Sequence, residues 1–247
     1  MSALAVMLIA VGVADACRRT WRTRWVPAAA GPVSIVVLAV LSALWRPGDL
    51  VLLTIAAGAT VAWELLCERT ERTGRHPVRP LVVLAAAIGL LIILSGLGSR
   101  VGGAVAHWSA WSTLSLDADP TWLLMVCAAV LLQLVTGNQI VRLILAATGS
   151  LRPPGQPQPS DRLKGGRLLG PMERVLILGL GLAGQLAAST AVIAAKSIIR
   201  FPELSSTRKD AGDQPGIDEV TEYFLVGSFA SWLLAMAGLA LTRTVPP

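Results

Sequence analysis

Apolar residues in this chain come in long uninterrupted blocks, and that feature limits its fold more than any motif does. Six blocks, about 26–45, 49–66, 80–98, 121–141, 171–199 and 219–242, come close to the ~20 helical residues that cross a hydrocarbon core of roughly 30 Å. A seventh, 2–16, is shorter, has no basic stretch before it and is followed by Arg18, Arg19, Arg22 and Arg24. That polarity is wrong for a cleaved signal peptide, so it reads as an uncleaved anchor. Within lipid every backbone N–H and C=O must be bonded inside the chain, which makes such blocks helices. The expected fold class is therefore all-α: a multi-spanning transmembrane bundle of about seven helices, or six if 2–16 lies at the interface. Charged residues make up 15% of the chain, against about 25% in soluble domains.

The cations fall between the blocks: the four arginines already named, then Arg69, Arg72, Arg75 and Arg79, then Arg152, Arg162, Lys164 and Arg167. Basic connectors resist translocation. With the N-terminus outside and the C-terminus inside, the inner connectors and tail carry 13 Lys+Arg against 4 in the outer stretches 46–48, 99–120 and 201–217. The net charge of +6 thus reads as membrane topology, and no nucleic-acid partner is expected. Only three of the 21 cations are Lys, as in GC-rich bacterial genomes, so the expected location is a bacterial cytoplasmic (inner) membrane. Trp21, Trp25, Trp45, Trp63, Trp108 and Trp122 lie near block ends, where an aromatic belt belongs. Cys17, Cys67 and Cys127 have neither CxxC spacing nor a paired His, so no disulfide framework, metal site or cofactor is expected.

Three regions follow: a five-helix membrane part over 1–147, a Pro-rich cytoplasmic linker over 148–170, and a two-helix hairpin over 171–247. The hairpin holds most of the candidate residues. Read as one continuous helix, 171–199 places Arg174, Gly181, Gln185, Ser189, Lys196 and Arg200 on one stripe. Gly170 would cap it, Pro171 would fill its first turn, and Glu173 would face the positive end of its dipole. Gln185 would sit near mid-membrane, level with Gln133, and the two would share a hydrogen bond. Lys196 and Arg200 would reach the outer boundary, where an antiparallel last helix brings Asp218, Glu219, Glu222 and Tyr223. That meeting reads either as an interfacial ion pair or as a grip for an anionic lipid headgroup. Gly227, Ser231 and Gly238 would form a small-residue face packed against the preceding helix.

The same segment resembles a known family. Gly166-Arg167-Leu168-Leu169-Gly170-Pro171-Met172-Glu173-Arg174, then Gly184-Gln185, then Ala194-Ala195-Lys196-Ser197-Ile198-Ile199-Arg200-Phe201, and Glu222-Tyr223-Phe224-Leu225-Val226-Gly227-Ser228 are similar to a C-terminal signature of bacterial integral membrane proteins grouped as a domain of unknown function. The resemblance covers roughly 164–235 and implies a multi-spanning membrane protein without implying an activity. Longer members carry a His-and-Asp motif in an N-terminal membrane segment; here the histidines are His76 and His107, both between blocks.

Function divides three ways. A non-enzymatic membrane component, packing with itself or a membrane partner, accounts for the polar stripe and small faces without chemistry. A small-solute transporter or channel is the alternative, weakened because no ionisable residue falls at a predicted midplane. A lipid-acting enzyme comes third, because no DxxD, HExxH or GxSxG arrangement is present and no catalytic residue is nominated.

Overall fold

The computed structural model describes residues 1–21, 25–111, 118–151, 166–195 and 217–246. All regular structure among these residues is helical. Four helices are long and apolar enough to cross a membrane: Pro47–Thr73, Val78–Leu97, Pro120–Ala147 and Glu219–Arg243. The chain forms two compact units, Met1–Thr136 with Ala240–Pro247, and Gly137–Leu239.

The first unit is built around α1 (Ser2–Thr20). Leu4, Ala5, Val6, Met7, Leu8, Ala10, Val11 and Ala14 are fully buried, because α2 (Trp25–Leu41), α3 (Pro47–Thr73), α4 (Val78–Ile93) and α6 (Pro120–Leu131) all pack on α1. A helix lying in the interface keeps a polar face toward water; α1 is instead the hub. Small residues let its neighbours close in. A Cβ on Gly12 would fall 2.6 Å from Leu131 Cγ, and one on Gly31 of α2 would fall 2.4 Å from Thr60 Cγ2 of α3.

Hydrogen bonds set the helix directions. Ser2 Oγ donates to the Ser99 carbonyl (2.7 Å). Asp49 accepts from the Ser99 amide (2.7 Å) and hydroxyl (2.6 Å), and Thr121 Oγ1 accepts from Val101 N (3.1 Å). The starts of α1, α3 and α6 thus meet at one end. The Gly102 amide donates to the Ser42 carbonyl (2.9 Å), which brings the end of α2 there too. At the opposite end Trp63 Nε1 donates to Asp15 (3.4 Å) and Arg19 donates to the Val135 carbonyl (2.7 Å). Hence α1, α3 and α6 run parallel, with α2 and α4 reversed, the up-and-down order that short connectors favour. Local chemistry supports each end. Pro47 opens α3, and Gly74 closes it in the left-handed region at φ 63°, where glycine carries no Cβ penalty. Asp119 caps α6 through the Thr121 amide. A short helix, α5 (Gly103–Trp111), leaves Trp108 and Trp111 exposed.

Of the tryptophans expected at the membrane boundary, Trp21, Trp25, Trp45 and Trp108 are exposed, but Trp63 is wholly buried against α1. Its place near the end of an apolar block gave no sign of which way its ring turns.

After α6 the helix widens into one π turn, Leu132–Thr136, and continues as α7 (Gly137–Ala147), the first helix of the second unit. The continuous helix expected over 171–199 is replaced by two. Helix α8 spans Gly166–Leu182, so Pro171 sits inside it and Gly170 is not its cap. Glu173 lies two turns in, beyond the first turn where a helix dipole acts strongly. Helix α8 stops in paired backbone bonds, Gln185 N to Leu180 O (2.8 Å) and Gly184 N to Gly181 O (3.2 Å). Gly184 is left-handed at φ 76°. This is the Schellman ending that glycine permits.

Helix α9 (Leu186–Ala195) then folds back. Ser189 Oγ lies 3.4 Å from the Ile177 carbonyl, whereas twelve residues of straight helix would separate them by about 18 Å. The last helix, α10 (Ile217–Arg243), runs parallel to α8, since Arg174 meets Ser231 and Gly181 meets Leu239. It runs antiparallel to α7, with Glu222 at Ser150 and Gly227 at Leu145 and Val141. The expected α8–α10 antiparallel hairpin is therefore an α8–α9 hairpin.

A Cβ on Gly48 would fall 2.2 Å from the Leu97 backbone oxygen, whereas at Gly58 it would meet nothing within 4 Å. Gly48→Ala should cost about 1–3 kcal/mol through overpacking, read as a lower thermal midpoint in detergent. Gly58→Ala should leave the midpoint unchanged or raise it.

Candidate functional sites

Two buried polar clusters stand out, one in each unit. In the first unit, the last turns of α1 meet the second half of α3 and the π turn. Asp15 and Glu64 are 1% and 4% exposed. Arg18 spans them, bonding Asp15 Oδ1 one turn back and reaching Glu64 Oε2 at 3.7 Å. Trp63 donates to the same Asp15 oxygen, and the Thr136 side chain approaches the carboxyl. Thr60, Gln133 and Thr136 are fully buried here, and Cys67 is buried one turn beyond Glu64. A π turn is uncommon and recurs at functional sites; this one points Gln133 and Thr136 inward on one short segment.

Sequence reasoning missed this cluster. Asp15 and Glu64 each stand near the end of an apolar block, where a charge reads as a boundary marker. The available signal was their equal depth: both lie toward the arginine-rich ends of helices that the topology makes parallel.

In the second unit Arg174 is the centre, 1% exposed on α8. Its Nη2 donates to Asn138 Oδ1 (2.7 Å) on α7, and its Nη1 to Ser231 Oγ (3.1 Å) on α10. The planar guanidinium thereby ties three helices through fixed donors. Gly137 makes room for it, since a Cβ there would fall within 2.9 Å of the guanidinium. Glu173 beside it on α8 is also buried.

The other nominated residues separate. Gln185 is exposed at the α8–α9 bend, off any shared stripe with Arg174, because the helix ends before it. Gln133 belongs to the Asp15 cluster of the first unit. Glu222 is exposed and accepts from Ser150 Oγ (3.1 Å), and Tyr223 is half-buried. The small face is used in part within this unit: Ser231 holds Arg174, Gly227 faces α7, and Gly238 is buried. Lys196 and Arg200 lie outside the described residues, as do most of the Pro-rich linker and the outer stretch 201–216. Among the described residues no group of three or more His, Cys, Asp or Glu is arranged to hold a metal ion.

No family model, curated protein or solved structure matches this chain.

Replacing Asn138 with Leu keeps the volume but removes the acceptor of a buried guanidinium. The expected loss is about 1–3 kcal/mol, measured by thermal unfolding in detergent. Arg174→Lys should not match wild type, because an ammonium cannot fork between Asn138 and Ser231.

Proposed function

We propose that this chain is a non-enzymatic component of a bacterial cytoplasmic membrane that works by packing with a second copy or a membrane partner. One observation carries the reading. Thr54, Gly58 and Ala62 recur every four residues on α3, with Thr54 and Gly58 exposed and Ala62 half-exposed, and nothing approaches Gly58 within 4 Å. Such small-residue spacing allows close backbone approach between membrane helices. The face nominated from the sequence is occupied internally, whereas this one is open. Arg174 bonds both Asn138 and Ser231 across helices, which fits a structural role for the second unit's polar residues.

The membrane arrangement that the helix directions support has six crossings and one re-entrant hairpin. With the start of α1 outside, α1 to α7 provide five crossings. Helices α8 and α9 enter and return on the inner side, and α10 crosses outward. Helix α9 folds straight back along α8, with Ser189 against the Ile177 carbonyl, which suits a re-entrant hairpin. This scheme assigns sixteen of the 21 Lys+Arg to the inner side and only Arg46, Arg100 and Arg243 to the outer, with Arg142 and Arg174 within helices. That is a stronger bias than seven crossings give, and it moves the C-terminus outside. In a cysteine-free background, Pro246→Cys should label from outside intact cells and Arg75→Cys only after permeabilisation. Inner-side labelling of Pro246→Cys would restore the seven-crossing scheme.

A small-solute transporter is the second reading, favoured by the buried Asp15–Arg18–Glu64 cluster, since ionisable groups at membrane depth mark functional sites. Self-association separates the two readings. In native-lipid discs, wild type should run as a defined assembly and Gly58→Leu should fall to a single copy with its thermal midpoint retained. A wild-type monomer that moves solute would favour transport.

A further inference from the structure

We propose that Asp15 and Glu64 together bind one exchangeable proton within the membrane. The inference uses the membrane placement of the first unit and is independent of the assembly reading.

The charge count is the first ground. Two carboxyl groups, 1% and 4% exposed, share a single guanidinium, that of Arg18. The charged and titratable groups facing them are few. Arg18 and Arg19 come from α1, and Cys67 and Glu71 from α3. Helix α2 and the π turn have no charged or titratable side chain, and Arg79 of α4 and Cys127 of α6 are exposed. Arg19 and Glu71 are exposed and opposite in sign. The buried core of the site would therefore carry one uncompensated negative charge if both carboxyls were ionised, a costly arrangement away from water.

Geometry is the second ground. Asp15 Oδ1 takes the bonds from Arg18 and Trp63, and Glu64 Oε2 faces Arg18. The other two oxygens, Asp15 Oδ2 and Glu64 Oε1, are buried and have no hydrogen-bond partner. The carboxyls approach closely enough to interact directly. A bond between them requires a proton on one, because an ionised carboxylate only accepts. One proton lets one carboxyl donate to the other and removes the excess charge, and Arg18 then pairs the remaining carboxylate. Two further buried donors face the same carboxyls, Thr136 Oγ1 beside Asp15 and Arg18 Nη1 toward Glu64, and neither alters the charge count. Asp49, the other deeply buried carboxylate of this unit, differs: both of its oxygens accept good hydrogen bonds from Ser99 and Arg46. A sodium-sized cation needs a shell of oxygens, and here Arg18 already supplies a positive charge to both carboxyls.

Infrared spectroscopy of the full chain in lipid discs tests this. Wild type at neutral pH should show the carbonyl stretch of a protonated carboxyl. Asp15→Asn and Glu64→Gln should each lose it, because the surviving carboxylate then pairs with Arg18. Each single variant should melt near wild type, while the double variant, with Arg18 stranded, should melt far lower. Raising pH should remove the wild-type band and lower its melting temperature together, because the site regains its uncompensated charge. A wild-type protein without the band overturns the proposal even if no variant folds. So do single variants as destabilised as the double, or a melting temperature that rises with sodium and not with choline. Gly58→Leu should retain the band, so failure of the assembly reading and failure of this site are distinguishable.

Discussion

A helix with no exposed side must satisfy its polar ends inside the protein, and α1 imposes that requirement on everything around it. Its apolar run is bounded by Ser2 and Asp15, thirteen residues apart, or about 20 Å along the axis. Each boundary residue is tied to α3: Ser2 through Ser99, which Asp49 holds in turn, and Asp15 through Trp63, with Arg18 of α1 itself bonding the same carboxyl. These two anchor points fix the register of α3 against α1, since Asp49 and Trp63 are fourteen residues apart. A slip of one turn would strand a buried carboxylate at one end or the other. The interval is also shorter than a hydrocarbon core of roughly 30 Å. The second anchor therefore lies inside lipid depth unless the bilayer thins around the bundle.

Close packing follows from the same demand. Polar anchors hold α1 only if its neighbours approach closely, and Gly12 and Gly31 supply the clearance where Leu131 and Thr60 press in. The π turn at Leu132–Thr136 adds a residue to the helix just beyond Leu131 and turns Gln133, Thr136 and the Val135 carbonyl toward the end of α1. In the second unit Gly137 performs the equivalent service for Arg174. At Gly137 the missing side chain makes room for a guanidinium that three helices share.

Length and hydropathy made the helices legible, because the need to bond every backbone group within lipid leaves little choice for a twenty-residue apolar block. The blocks at 49–66, 121–141 and 219–242 lie within helices Pro47–Thr73, Pro120–Ala147 and Ile217–Arg243, and 80–98 overruns Val78–Leu97 by one residue. Direction and bending were harder to read. A helical wheel presumes a straight helix, so Arg174 and Gln185 fell on one stripe although a left-handed Gly184 lies between them. Three glycines over 179–184 were a signal of this ending, yet in an apolar run glycine serves packing and termination equally well. The Asp15 cluster was hidden for another reason. Burial of a residue near a block end depends on which helix lies beside it, and Trp63 shows the same ambiguity.

The two ends of the first unit illustrate how one bundle separates stability from chemistry. Asp49 sits one turn into α3, and the Ser99 amide, the Ser99 hydroxyl and the Arg46 amide supply donors to both its oxygens. Backbone donors hold an ionised carboxylate firmly and resist rearrangement. At the other end the donors are side chains, one of them Arg18, whose side chain keeps 17% of its surface accessible beside the arginine-rich rim. A long cation can lead from a buried site to the headgroups, so this cluster has a polar connection to the rim as well as unfilled acceptors. A carboxylate bonded by amides at one end and a carboxyl pair bonded by a movable guanidinium at the other differ in what they can exchange, although their burial is nearly the same. Only the second can gain or lose a charge without breaking the backbone contacts that keep α1 in register.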